Sequence, residues 1–204
     1  MHPHPAFRWE DRPAIRALVG EVAFGQLFAA TPDGPRVAQL PVVWIDDDTL
    51  GLHLSRGNGL TRHLDGATAL FTVLGPDGYI SPDWYGLGPD QVPTWNYLSV
   101  ELEGRVRRVD RERLLAQIDQ LGAEHEGRLP KTPWTRNKVA PRVIDGLMKG
   151  VVGFELDITA WRGTAKLGQT KADAPRLAAA DASAAAGRRA IAELMRAWVP
   201  GTPA

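Results

Sequence analysis

The sequence contains no cysteine, which excludes a disulfide framework, a thiolate nucleophile and a Cys-ligated zinc site. It has no excess of either charge, with 24 Lys and Arg against 24 Asp and Glu. Nucleic-acid binders gain most of their affinity by neutralising phosphates, so a balanced chain argues against a dedicated one. Long apolar runs are missing too. The uncharged stretches Val37 to Ile45 and Gly66 to Pro76 reach about half of the ~20 residues that span a bilayer, so no membrane crossing is expected. The amino-terminal residues show no basic start followed by an apolar run, so no secretory signal is expected and the location is expected to be cytoplasmic. HExxH, P-loop, GxGxxG and G-x-S-x-G strings are absent, and no repeat of about 20–50 residues points to a solenoid or propeller. His2-Pro-His4 is too sparse for a metal site, and none is expected.

Turn residues, by contrast, are plentiful. Gly (21) and Pro (16) make up about 18% of the chain, above the ~12% average and below the ~25–30% of disordered chains. Asp11-Arg-Pro13 reads as a helix start, with Ile15, Leu18, Val19 and Val22 at helical spacing, predicting a helix over 12–22. Apolar runs separated by turn clusters follow: Phe24 to Ala30, Arg36 to Ile45, Thr49 to Leu54 and Ala67 to Leu74, with a helical turn through His63. Pro41 cannot donate to a ladder and marks an edge, a bulge or a close approach. A long strand is expected from Thr94 to Val109. Asp110 caps a second helix carrying Leu114, Leu115, Ile118 and Leu121, and Asn137 to Met148 reads as a third. Gly150 to Thr159 alternates as a last strand, and an Ala-rich helix with the stripe Ile191, Leu194, Met195, Trp198 closes the chain. About six strands with helices at the ends predict an α+β barrel.

The stretch Gly78 to Tyr97 holds all three tyrosines and two of the seven tryptophans. It reads either as a proline-kinked plug at one end of a barrel or as a ligand wall, where flat aromatics beside Ser81, Thr94 and Asn96 suit a planar heteroaromatic. From Asp77 to Glu103 there are five acids and no Lys or Arg, so a phosphate on such a ligand must be held elsewhere. Two segments offer charge. His53-Leu-Ser-Arg-Gly-Asn58 leads from a strand end into a glycine-flanked turn, where backbone N–H groups and the Arg56 fork suit a phosphate; a plain turn with a solvated Arg is the alternative. Trp161 to Lys171 reads as a loop after the last strand, with Lys166 and Lys171 bracketing Gln169. Arg105 to Arg113 carries five arginines among acids and reads as a mixed-charge face. Gly127 to Lys149 has six basic residues against Asp145 alone, the best basic patch, without a helix-turn-helix pattern.

Four blocks carry a family resemblance: His53-Leu-Ser-Arg-Gly-Asn58, Tyr79-Ile-Ser-Pro-Asp-Trp-Tyr85, Val92-Pro-Thr-Trp-Asn-Tyr97, and Gly150-Val-Val-Gly-Phe-Glu155 with Lys166-Leu-Gly-Gln-Thr-Lys171. In order and spacing, from about Phe7 to Lys171, they resemble the PaiB-like FMN-binding proteins known as negative transcriptional regulators. The resemblance implies an antiparallel split β-barrel of about six strands and Greek-key type, with flanking helices, over residues 1–171. The resemblance carries nothing over to residues 172–204, which read from their Ala-rich pattern as a C-terminal helical extension. It also implies FMN at a homodimer interface. His53, Ser55, Arg56 and Asn58 would face the phosphate and ribityl chain, and Trp95, Asn96 and Tyr97 the ring. Lys166, Gln169 and Lys171 would close over the site, from the same or the partner subunit. The family usually reads Lys-Leu-Ser-Gln-Asn-Lys in that closing loop, and Gly168 and Thr170 depart from it, predicting a looser grip. His4-Pro5-Ala6-Phe7 and the Ala-rich tail depart as well.

Three functions follow as expectations: a regulatory or sensory flavoprotein acting on transcription indirectly, a flavin-dependent reductase or oxidase, or a dimeric barrel that has lost its cofactor. No side chain announces a substrate, and the catalytic residues stay unassigned. The charge balance argues against direct DNA binding, with the Gly127–Lys149 segment as its one candidate.

Overall fold

Asp11 begins the first helix of the computed structural model, which describes residues 2–198. Its carboxylate accepts from Ala14 N–H at 3.0 Å, and α1 (Arg12–Val22) buries Ile15 and Val19, one turn apart. The helix stops at Ala23, whose φ of +49° turns the chain and whose carbonyl accepts from Val42 N–H.

Strand pairing then follows from alternation. Besides the two-residue β1 (Arg8–Trp9), the strands are β2 (Phe24–Thr31), β3 (Gly34–Trp44), β4 (Thr49–Ser55), β5 (Thr68–Ile80), β6 (Thr94–Arg108) and β7 (Val151–Lys166). Leu27 faces Ala38 across the β2–β3 hairpin and Phe71 across β2–β5, so one inward row is shared by three strands. Pro41 ends the β2 register, and pairing with β4 starts at Val42. A residue without an N–H sits where the strand changes neighbour. The order is β1-β7-β4-β3-β2-β5-β6, and β6 also pairs with β7, closing six strands into a ring. The β4–β5 connection passes over β3 and β2, a Greek-key step. This is the expected α+β barrel. No described helix is long and apolar enough to cross a membrane.

Contacts divide the chain into two units, and β5, β6, β7 and α1 run through both. The first takes residues up to Val19, Val73–Glu101 and the chain from Arg162 on; its core includes Val73, Ile80, Leu98, Val100 and Met195. The second takes Gly20–Thr72 and Leu102–Trp161, with Leu27, Leu52, Phe71, Leu102 and Phe154 buried.

Four elements differ from the sequence reading. β5 runs on past Leu74 to Ile80. β7 runs past Thr159 to Lys166, because β1 supplies a partner in the register Arg8↔Thr164 and Trp9↔Gly163; only residues 167–171 form the closing loop. The third helix is shorter, α3 (Pro141–Met148), preceded by a 3-10 turn at Arg136–Lys138, since Pro141 fits a first helical turn and disfavours helix before it. The Ala-rich tail is two helices, α4 (Asp173–Ala185) and α5 (Arg189–Ala197). Gly187 adopts φ +83° between them, and its N–H and that of Arg188 close on Ala184 and Ser183 carbonyls. The last six residues of the expected extension, 199–204, lie outside the described residues, as does residue 1. The second helix, α2 (Arg111–Glu126), is capped as expected by Asp110, which accepts from Arg113 N–H at 2.8 Å.

Candidate functional site

In the second unit, β4 delivers His53 between buried Leu52 and Leu54 and then enters a self-braced turn. Asn58 N–H donates to the Ser55 carbonyl at 3.0 Å, the Thr61 hydroxyl donates to the same carbonyl at 2.8 Å, and the Asn58 side-chain oxygen accepts from Leu60 N–H at 2.9 Å. The turn is anchored by Arg56, whose N–H donates to Gly150 and whose Nε donates to the Lys149 carbonyl at 2.9 Å. These bonds use the turn's acceptors. Among the described residues no acceptor engages the Ser55 hydroxyl hydrogen, the Asn58 amide hydrogens or the Arg56 terminal nitrogens, and donors are what phosphate oxygens require.

His53 is half-buried, and burial holds its imidazole below the usual histidine range. A folded-state value below the unfolded one means that the unfolded chain takes up the proton first, so stability falls as pH drops through about 6.5. We expect His53→Gln to flatten the acid limb of a urea-midpoint-versus-pH curve between neutral pH and pH 5; superimposable curves would remove His53 as its source.

In the first unit, β6 separates the three residues expected at the ring. Alternation turns Asn96 inward and fully buries it, while Trp95 is 47% exposed and Tyr97 half-buried on the other face. Asn96 Nδ2 donates to Met195 Sδ at 3.4 Å, and its Oδ1 has no partner among the described residues. Trp95 is held by its indole N–H on the Asp77 carboxylate at 2.8 Å, with Tyr79 edge-on at 6.1 Å and the Arg188 guanidinium 5.9 Å over its ring. A flat, partly open aromatic with a fixed plane can stack a ligand.

Lys166, the last residue of β7, donates to the Thr94 hydroxyl and lies 5.7 Å over the Phe7 ring. Burial lowers its pKa, and no carboxylate pairs with it among the described residues. A desolvated cation with no counter-charge is a ready partner for an anion. Gln169 is saturated: its oxygen accepts from Leu167 N–H at 2.6 Å and its amide donates to the Ala6 and Ala165 carbonyls, tying the closing loop to the amino terminus. Lys171 donates to the Gln91 side chain at 2.6 Å and sits 5.2 Å over Tyr85. Gly168 explains one departure in this loop. At φ +83° it occupies the left-handed region, where an added Cβ would meet only ordinary contacts, so conformation rather than space favours glycine over the family's serine.

The phosphate-side residues thus gather in one unit and Trp95, Tyr97, Lys166 and Lys171 in the other, with Asn96 and Gln169 serving internal bonds. Sequence reasoning missed Phe7, Gln91 and Tyr85 as partners of the two lysines; no local signal marks them. Each unit's donors fit one end of FMN: in the second, hydroxyl, amide and guanidinium donors suit a phosphate, and in the first, an exposed indole and an ammonium with no carboxylate partner among the described residues suit the ring.

A family model described as "Putative FMN-binding domain" matches residues 1–160. The chain is 25% identical over 169 residues to "Protease synthase and sporulation protein PAI 2" of Bacillus subtilis, covering 81% of this chain and 80% of that protein. Among solved structures, the FAD and heme binding protein from Mycobacterium smegmatis matches with a TM-score of 0.57 at 18% identity, over 79% of this chain and 74% of the other. The flavocytochrome Anf3 from Azotobacter vinelandii matches with a TM-score of 0.57 at 18% identity, over 82% and 73%. These two likenesses speak for the fold. With the family match reaching from residue 1 to residue 160, the chain belongs to the PaiB-like FMN-binding family, and FMN is its cofactor.

Proposed function

We propose that the chain is a cytoplasmic, homodimeric flavoprotein with a regulatory or sensory role that acts on transcription indirectly. The carrying observation is Lys166, a half-buried ammonium that no carboxylate among the described residues pairs with, which suits an anionic cofactor better than an empty barrel. Ser55, Arg56 and Asn58 would hold the phosphate end with His53 behind them. Trp95 and Tyr97 would lie near the ring, Asn96 would brace that strand from its inner face, and Lys166 and Lys171 would close the site, with Gln169 fixing their loop. Bound FMN supplies one- and two-electron redox chemistry. The exposed Leu74, Tyr79, Val92 and Trp95 of the first unit favour a second copy as their cover.

The Bacillus subtilis relative's name ties that protein to protease synthesis and sporulation, which favours a role in control. Direct operator binding fits less well. In the basic Gly127–Lys149 segment, Arg136 pairs with Asp119, Lys131 with Glu126, and Arg128 donates to the Gly20 and Glu21 carbonyls, so much of its charge is already engaged. Elution from heparin at low salt is expected; retention with a steep salt dependence would favour direct binding.

Visible spectra of the purified protein, before and after FMN addition and desalting, test the flavin reading, and light scattering at twice the chain mass tests the dimer. Rapid anaerobic bleaching by NADH or NADPH would replace the regulatory reading with the reductase one. Arg56→Ala and Lys166→Ala should each weaken FMN binding by about 1–3 kcal/mol, as removal of a charge-assisted bond does. Unchanged affinity in both would overturn the residue assignment.

A further inference from the structure

The second unit contains a cavity of about 490 Å³, within the range of small-molecule sites, of whose lining the flavin assignment uses Arg56 alone. Its floor is apolar, formed by Leu114, Met148 and Val152, and its rim carries Arg56, Arg108, Arg111 and Lys149 against the single carboxylate of Asp110. The rim is built from fixed backbone. Val109 N–H donates to the Gly153 carbonyl at 3.0 Å, Arg108 N–H to the Asp65 carboxylate at 2.9 Å, and Arg56 clasps the Lys149 and Gly150 carbonyls from the other side. Its charges are unevenly satisfied. Arg111 pairs with Asp145, and Asp110 is engaged in capping α2. Among the described residues Arg108 bonds only through its backbone N–H and Lys149 only through its backbone, so neither the guanidinium nor the ammonium has a polar partner there.

We propose that this cavity is a second ligand site, for a small organic anion whose phosphate or carboxylate head meets Arg108 and Lys149 and whose apolar body lies on Leu114, Met148 and Val152. Apolar floors contribute affinity in proportion to the area they cover, and paired cations at a rim select the charged end. Fixed backbone on both sides lowers the ordering cost of binding. Arg56 stands at the boundary with its Nε committed, so the site rests on Arg108 and Lys149, neither of which is assigned to the flavin.

The probe is 8-anilinonaphthalene-1-sulfonate, an aromatic anion, titrated into FMN-loaded protein by fluorescence, with phenyl phosphate and phenylacetate as competitors. The double variant Arg108→Glu/Lys149→Glu should lose at least about tenfold in probe affinity while keeping its FMN affinity. The milder Arg108→Gln/Lys149→Gln should fall between, and Arg142→Glu, in the same basic segment but outside the cavity, should bind the probe as the parent does. Stronger displacement by phenyl phosphate assigns a phosphate head, and stronger displacement by phenylacetate a carboxylate. Parent-like probe binding in the Glu variant, or displacement by neither competitor, would overturn the site. Loss of FMN binding in both double variants would also overturn it, by making the cavity part of the flavin site. Because FMN affinity is read separately, failure of the flavin assignment shows in Arg56→Ala and Lys166→Ala and not here.

Discussion

Replacing both Arg107 and Arg113 by Ala is expected to destabilise the protein by about 3–5 kcal/mol, the range for leaving a buried charge unpaired. Glu155 lies in β7 with its side chain fully buried. Arg107 from the end of β6 and Arg113 from the first turn of α2 both bridge to it, and Gln117 one turn later donates to its Oε1 at 3.0 Å. Gly51 makes room for that glutamine, since a Cβ there would lie 3.0 Å from the Gln117 side-chain carbon. Both guanidinium groups are about half exposed, so water reaches the cations but not the carboxylate. A single Arg113→Ala leaves one bridge and should cost less than the pair. The decisive comparison is Glu155→Leu placed on the double variant. If the cost arises from a stranded carboxylate, removing it recovers most of the stability by urea denaturation. If it arises from lost packing of the arginine stems, the triple variant stays as unstable as the double.

Glu155 also shows where sequence reading stops. The alternation in Gly-Val-Val-Gly-Phe-Glu-Leu-Asp identifies a strand, but only the docking of α2 decides that the glutamate is covered by Arg113 and Gln117. Local signals did place α1 and the Asp110 cap, because their chemistry lies within four residues. The extension of β7 to Lys166 depends on Arg8 and Trp9, more than 150 positions away, and the surroundings of Lys166 depend on Phe7 in the same way. The separation of Asn96 from Trp95 and Tyr97 was available from strand alternation alone, yet a contiguous motif invites reading its members as one face. Gly187 was visible inside the Ala-rich tail, but the stripe of Ile191, Leu194 and Met195 favoured one continuous helix.

The same substitution, Gly→Ala, is expected to act in opposite directions at Gly104 and Gly122. Gly104 lies on the inner face of β6, where the closure of the ring brings β7 beneath it. An added Cβ would sit 2.2 Å from the Asp157 carbonyl oxygen and 2.8 Å from its carbon. Both atoms are backbone, and no rotamer change can move them aside. Ala at 104 must push β6 and β7 apart, and overpacking of this kind costs about 1–3 kcal/mol, occasionally more; the upper end or beyond is expected because the obstacle cannot flex. Gly122 lies inside α2, where an added Cβ would have nothing within 4 Å. There Ala removes backbone freedom from the unfolded chain without a clash, and should stabilise by about 0.5–1 kcal/mol. Urea midpoints of the two variants against the parent measure both. A tolerated Gly104→Ala would mean that β6 and β7 are less closely apposed than the closed ring requires, and the barrel would open at that seam.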